Sequence, residues 1–200
     1  YQLVTTGKDA TFTNSYTGSE SVIFGATKKL ENPADSNTKD FTFEITYKAK
    51  NPGEKGDPVT DASGNPITQT FTVTGEDAQS FTFSEIPYSM ESFTDKHAEI
   101  LSRDGNGNVN KVAFTYIISE VIPEGADENG ELNGITYSDV QYEVKVTLTD
   151  RGDGTIEKKV ELVSPTGDLN QDGDVYYLPA EADKDASFTN TYEPTGSFEI

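Results

Sequence analysis

A lysine amine, a carboxylic acid and a carboxamide sealed together from water can make an amide bond without a cofactor. Burial disfavours the charged form of each ionisable group, so a lysine and a glutamate in one apolar pocket can rest as neutral amine and neutral acid. The amine is then a nucleophile toward the carboxamide carbon. The acid can hydrogen-bond the carboxamide oxygen and carry protons to departing ammonia. In this chain Lys28, Glu120 and Asn190 are candidates for that chemistry, because each stands where an apolar residue belongs.

The elements that would position them are strands, read from alternation of period two. Val22, Phe24, Ala26 and Leu30 form one row, and Lys28 falls within it. Phe114, Tyr116 and Ile118 form another, which Glu120 continues, and Asn190 lies between Phe188 and Tyr192. An unpaired amide or isolated charge in such a row loses its water without compensation, whereas the three together can satisfy one another. Taken singly, each has an ordinary alternative: a snorkelling lysine, an edge glutamate, an asparagine at a turn. Lys29 is the neighbouring amine, but it shares a face with Ser21 and Thr27 and is expected to point to solvent.

Further strands are expected over 41–47, 70–74, 80–86, 112–121, 140–148, 155–163 and 186–192, with one short helix within 89–101. Val140, Tyr142, Val144, Val146 and Leu148 alternate with polar residues, giving one dry and one wet face. Asp150-Arg151-Gly152-Asp153-Gly154 reads as the hairpin turn that follows, since Asp-Gly pairs accept the backbone geometry of tight turns. Ten Tyr and eleven Phe set in such runs, separated by Gly, Pro, Asn and Asp, indicate an all-β sandwich.

Composition excludes several classes of function. Thirty-five acidic residues against fifteen basic ones give a net charge of -20, which repels nucleic-acid backbones and anionic lipid. No apolar run approaches the roughly 20 residues of a membrane-spanning helix, so membrane insertion is not expected. With no cysteine, neither disulfides nor thiolate metal sites can hold the fold, and any covalent staple must use other chemistry. His97 is the sole histidine and lies in the polar run Asp95-Lys96-His97-Ala98-Glu99, which suits a surface residue better than a catalytic base.

Two short motifs carry competing readings. Asp168, Asn170, Asp172 and Asp174 match the first half of a calcium loop, but the twelfth position is Pro179, which has no carboxylate to give. A plain acidic turn is the expectation there, as at Asp104-Gly105-Asn106-Gly107-Asn108, and no cofactor is required. Arg151, Gly152 and Asp153 spell an integrin-type tripeptide at a hairpin tip, where turn geometry alone accounts for the residues.

The chain also repeats itself. Lys8-Asp9-Ala10-Thr11-Phe12-Thr13-Asn14-Ser15-Tyr16 returns as Lys184-Asp185-Ala186-Ser187-Phe188-Thr189-Asn190-Thr191-Tyr192, an offset of 176 residues from Lys8 to Lys184. Residues 1–17 therefore read as the closing strand of a preceding repeat, 18–193 as one full repeat, and 194–200 as the start of a linker or the next repeat. Asn14 matches Asn190, but its lysine and glutamate would lie upstream, so it is expected to stay uncross-linked.

Phe188-Thr189-Asn190-Thr191-Tyr192, Tyr116-Ile117-Ile118-Ser119-Glu120 and Gly134-Ile135-Thr136-Tyr137-Ser138, with Val144-Lys145-Val146-Thr147-Leu148-Thr149-Asp150, resemble the streptococcal-type pilin isopeptide linkage domain. The resemblance implies an immunoglobulin-like sandwich of the collagen-adhesin B type, with a lysine on the first strand, an asparagine on the last and a glutamate between them. Carried over by motif, those roles fall on Lys28, Asn190 and Glu120. It further implies a self-formed Lys-Asn cross-link, no turnover of outside substrates, and an extracellular place on a Gram-positive cell surface. The chain has no Leu-Pro-x-Thr-Gly sorting signal, so wall anchoring would come from elsewhere in the protein. The expected partners are neighbouring repeats of the same protein. The alternative is an adhesin module recognising host extracellular matrix or glycan, with segments 49–69 and 87–110 as its candidate loops.

Overall fold

The computed structural model describes residues 18–32 and 39–193. Among these, the strands in chain order are β1 (Ser19–Glu31), β2 (Lys39–Tyr47), β3 (Thr68–Val73), β4 (Gln79–Thr82), β5 (Ile86–Ser89), β6 (Glu99–Arg103) and β7 (Val109–Glu120). There follow β8 (Glu131–Leu132), β9 (Ile135–Thr136), β10 (Gln141–Asp150), β11 (Ile156–Ser164), β12 (Asn170–Asp172), β13 (Val175–Tyr177) and β14 (Phe188–Tyr192). They form two sheets, as the all-β reading requires. One runs β12-β13-β1-β14-β9-β8, with β4 and β5 also paired to β1; the other runs β11-β10-β7-β2-β3, with β6 on β7.

The long first strand organises the first sheet. β1 pairs antiparallel with β5 and then β4 along one edge, and parallel with β13 and then β14 along the other. The expected single strand over 80–86 is divided here. From Thr82 to Ile86 the chain takes one more step than β1 takes between their partners, Gly25 and Val22, so a bulge separates β4 from β5. Gly25 sits where β1 passes beneath Tyr177. A Cβ there would come within 2.5 Å of the tyrosine ring, which would have to move aside, so glycine suits this close approach of β13 to β1.

The alternating rows meet between the sheets. Val22, Phe24 and Ala26 of β1 face Phe41, Phe43 and Ile45 of β2, Phe114, Tyr116 and Ile118 of β7, and Tyr142, Val144, Val146 and Leu148 of β10, all buried. Aromatic rings fill much of this layer. Phe43 lies 4.4 Å from Phe81 and 5.0 Å from Phe188 between ring centres, and Tyr142 meets Phe188 edge-on at 5.4 Å. The buried hydroxyls of Tyr88 and Tyr116 pair with each other at 2.9 Å.

The expected helix within 89–101 is only a 3-10 turn, Met90–Thr94, capped by the Ser89 side chain on Glu91 N–H. The chain is extended again by Asp95, and 99–103 joins β7 as β6 instead. The proposed preceding strand, Asn14 and residues 194–200 lie outside the described residues.

Candidate functional site

Lys28, Glu120 and Asn190 meet between the two sheets, on β1, β7 and β14. The parallel register pairs Lys28 with Phe188 and Leu30 with Asn190, so Lys28 and Asn190 are diagonal neighbours on one face. Strand spacing and rise put their Cα atoms about 8 Å apart, a gap that side chains readily span. Glu120 reaches them from the opposite sheet, where it pairs with Phe43. Lys28 and Asn190 are both wholly buried, and Glu120 nearly so.

One carboxylate holds both nitrogens. Lys28 Nζ donates to Glu120 Oε2 at 2.7 Å, and Asn190 Nδ2 donates to Glu120 Oε1 at 2.7 Å. The lysine nitrogen sits 4.5 Å from the centre of the Phe41 ring and 5.8 Å from that of Phe43, rings that keep water away. Burial pushes the Lys28 amine down to about 8, although Glu120 pulls the other way. Burial likewise pushes the Glu120 carboxyl up, against the influence of Lys28 and Asn190. Both directions favour neutral amine beside neutral acid. The buried contact is thus weak as a stabilising salt bridge and well suited to proton exchange.

The asparagine is oriented differently from the expectation that Glu120 bonds its carbonyl. Asn190 Oδ1 accepts from the backbone N–H of Ser138 at 2.8 Å, while its NH2 group faces the carboxylate. Glu120 therefore lies against both nitrogens, and the main-chain N–H of Ser138 meets the carboxamide oxygen. Alternation does not single out Ser138, because it follows the two-residue strand β9; only the resemblance of the Gly134 to Ser138 motif marks it.

The other candidates lie apart from this cluster. Lys29 is paired with Asp185 at 2.8 Å on the surface, as its face predicts. His97 stacks on Tyr47 with ring centres 3.7 Å apart and a 6° tilt. Its two ring nitrogens lie 2.9 Å from carboxylates of Asp57 and Asp95, so it braces a loop. Asn170 and Asp172 belong to β12, which forms a hairpin with β13, and Asp168 and Asp174 flank β12. Among the described residues no group of three or more His, Asp or Glu side chains is arranged to hold a metal. Asp104 Oδ1 accepts the N–H groups of Asn106 and Asn108 at 2.8 Å, a turn-forming use of the carboxylate. Arg151, Gly152 and Asp153 occupy the β10-β11 hairpin tip. Arg151 is ion-paired with Glu157, and Asp153 Oδ1 accepts from the N–H and hydroxyl of Thr155.

The family model of the Spy0128-like isopeptide-containing domain (FctA) matches residues 24–193, most of the chain. The chain belongs to this family. No curated protein matches it. FctA domains are pilin-type domains of Gram-positive cell surfaces and are not a catalytic enzyme family. Among the described residues no helix is long and apolar enough to cross a membrane.

Proposed function

We propose that this FctA domain joins Lys28 to Asn190 through an isopeptide bond and serves as a tension-bearing unit of a surface pilus or stalk. The single observation that carries the proposal is the Glu120 carboxylate, which holds the lysine amine and the asparagine NH2 group at 2.7 Å each in a dry interior. In the reaction, neutral Lys28 attacks Asn190 Cγ and forms the new C–N bond. Glu120 Oε2 takes a proton from Nζ, and Oε1 delivers one to Nδ2 as the Cγ–Nδ2 bond breaks and ammonia leaves. Atoms balance without oxidant, metal or cofactor, and Glu120 ends as it began.

The mechanical role follows from the strands the bond would join. β1 and β14 are the first and last strands of the described domain and run parallel, side by side. Tension entering at Ser19 and leaving at Tyr192 would pull them in shear and pass through the amide. The adhesin alternative calls for aromatics displayed on long loops. Among the described residues the large exposed hydrophobics are Ile100, Leu101, Ile122 and Val163, none aromatic. A spacer that contacts its neighbouring repeats is the reading this surface supports.

Peptide mapping tests the proposal. Trypsin should release a branched peptide in which the Lys28 segment and the Asn190 segment are joined, and cleavage after Lys28 should be blocked. Separate, linear peptides from a fully digested sample would overturn it.

A further inference from the structure

Glu181 lies in the loop between β13 and β14, within an acidic run that reads as an ordinary solvated surface. Its Oε1 atom nevertheless accepts two buried or half-buried donors: the Ser138 hydroxyl at 2.7 Å and the Thr189 N–H at 2.9 Å. Ser138 supplies the N–H that reaches Asn190 Oδ1, and Thr189 is the residue before Asn190. One carboxylate oxygen therefore ties the segment bearing the carbonyl donor to the strand bearing the carbonyl. The loop that carries Glu181 is itself fixed. Its N–H donates to Ala186 O at 2.9 Å, and its carbonyl accepts from Lys184 N–H at 3.0 Å. Tyr142 adds a second tie, with its hydroxyl within 2.9 Å of Pro179 O and 2.8 Å of Ser187 O.

From this geometry we infer that the Ser138 N–H is the oxyanion donor for isopeptide formation, and that Glu181 is the positioning residue that holds donor and Asn190 in register. The inference rests on the isopeptide reading above. When Lys28 attacks, negative charge collects on Asn190 Oδ1, and Glu120 is occupied with the two nitrogens. A fixed backbone donor at that oxygen stabilises the charge with no reorganisation, the usual work of an oxyanion hole. The Ser138 side chain does not touch the reacting atoms; its hydroxyl is the handle by which Glu181 holds the main chain. Glutamine in place of Glu181 keeps an acceptor oxygen for both donors, whereas alanine removes it.

The test follows bond formation in time. Protein made in a cell-free system is sampled by intact mass, and loss of one ammonia is scored in wild type, Glu181→Ala, Glu181→Gln and Ser138→Ala, with circular dichroism confirming that each has folded. Misalignment of the Ser138 N–H lowers the rate by at least about tenfold in Glu181→Ala and Ser138→Ala, and Glu181→Gln recovers most of it. Because Ser138 reaches Glu181 only through the bond that Glu181→Ala already removes, the double alanine variant should be little slower than Glu181→Ala alone. The Glu181 charge also faces Lys28 and Glu120 and raises both. Removing it in Glu181→Gln should therefore displace the pH-rate profile toward acid, which a merely structural contact would not do. If Glu181→Ala fails to fold, Ser138→Ala carries the test. A linked wild type beside alanine variants that link at the same rate overturns the clamp alone. A wild type that keeps its full mass overturns the isopeptide reading and the clamp with it.

Discussion

Lys28→Ala is the perturbation with the largest calculable effect. With the bond in place, the chain between residues 28 and 190 is bypassed by tension. At about 3.3–3.6 Å per residue, those roughly 160 residues hide about 550 Å of contour length. The stretch of β1 from Ser19 to Lys28 is already an extended strand and adds little. Wild type should therefore barely lengthen under force, while Lys28→Ala should unfold in one step that releases most of the 550 Å. The same loop sets the thermodynamic difference. If an amide constrains the unfolded chain as a disulfide does, closing about 160 residues contributes about 5 kcal/mol, or a fall of about 10–20 °C in melting temperature for a domain of this size. Lys28→Ala also leaves Glu120 without its amine, so Asn190→Ala, which keeps the lysine, serves as a second unlinked form. The assay is single-molecule stretching with the domain held between marker domains of known extension, alongside calorimetry. Equal extension in wild type and both variants would mean that no cross-link carries the load.

Other consequences are simpler to measure. Glu120→Ala and Glu120→Gln should both fold yet keep the full sequence mass, since neither can take a proton from Nζ and return one to Nδ2; normal linking in either would remove Glu120 from its role. In Asn190→Ala the unlinked Lys28 still titrates, at about 8 when folded against about 10.4 in an unfolded chain. The unfolded state then binds more protons between those values, so stability should rise with pH across that window by up to about 3 kcal/mol. Linked wild type should lack this rise, as its Lys28 is an amide; denaturant midpoints from pH 7 to 11 decide it. Glu120 acts with opposite sign: its raised carboxyl binds a proton in the folded state that the unfolded state has lost. Stability of Asn190→Ala should therefore fall as pH climbs from about 4.5.

The three central residues were legible because strands have period two, and parity alone turned Lys28, Glu120 and Asn190 inward. The long runs of β1, β7, β10 and β14 were legible for the same reason. Pairing was not. Nothing in alternation distinguishes the parallel contacts of β1 with β13 and β14 from antiparallel ones, although these contacts set the diagonal placement of Lys28 and Asn190. The short strands β8, β9, β12 and β13 are two or three residues long, too brief for any period to register. Glu181 escaped for a related reason, and Ser138 was marked only by resemblance: both lie in irregular segments, where sequence spacing carries no orientation. The facing of the Asn190 amide depends on those two segments, so the expected Glu120 contact with the carbonyl gave way to the Ser138 N–H.

Lys28 and Asn190, a charged and a polar side chain, are wholly buried side by side, and a covalent bond between them would explain why. Intact-mass spectrometry of the purified domain, unfolded in acid before injection, measures this directly. Wild type should have a mass one ammonia below that of the sequence, and Lys28→Ala, Asn190→Ala and Glu120→Ala the full sequence mass. A folded wild type at its full sequence mass would contradict the cross-link.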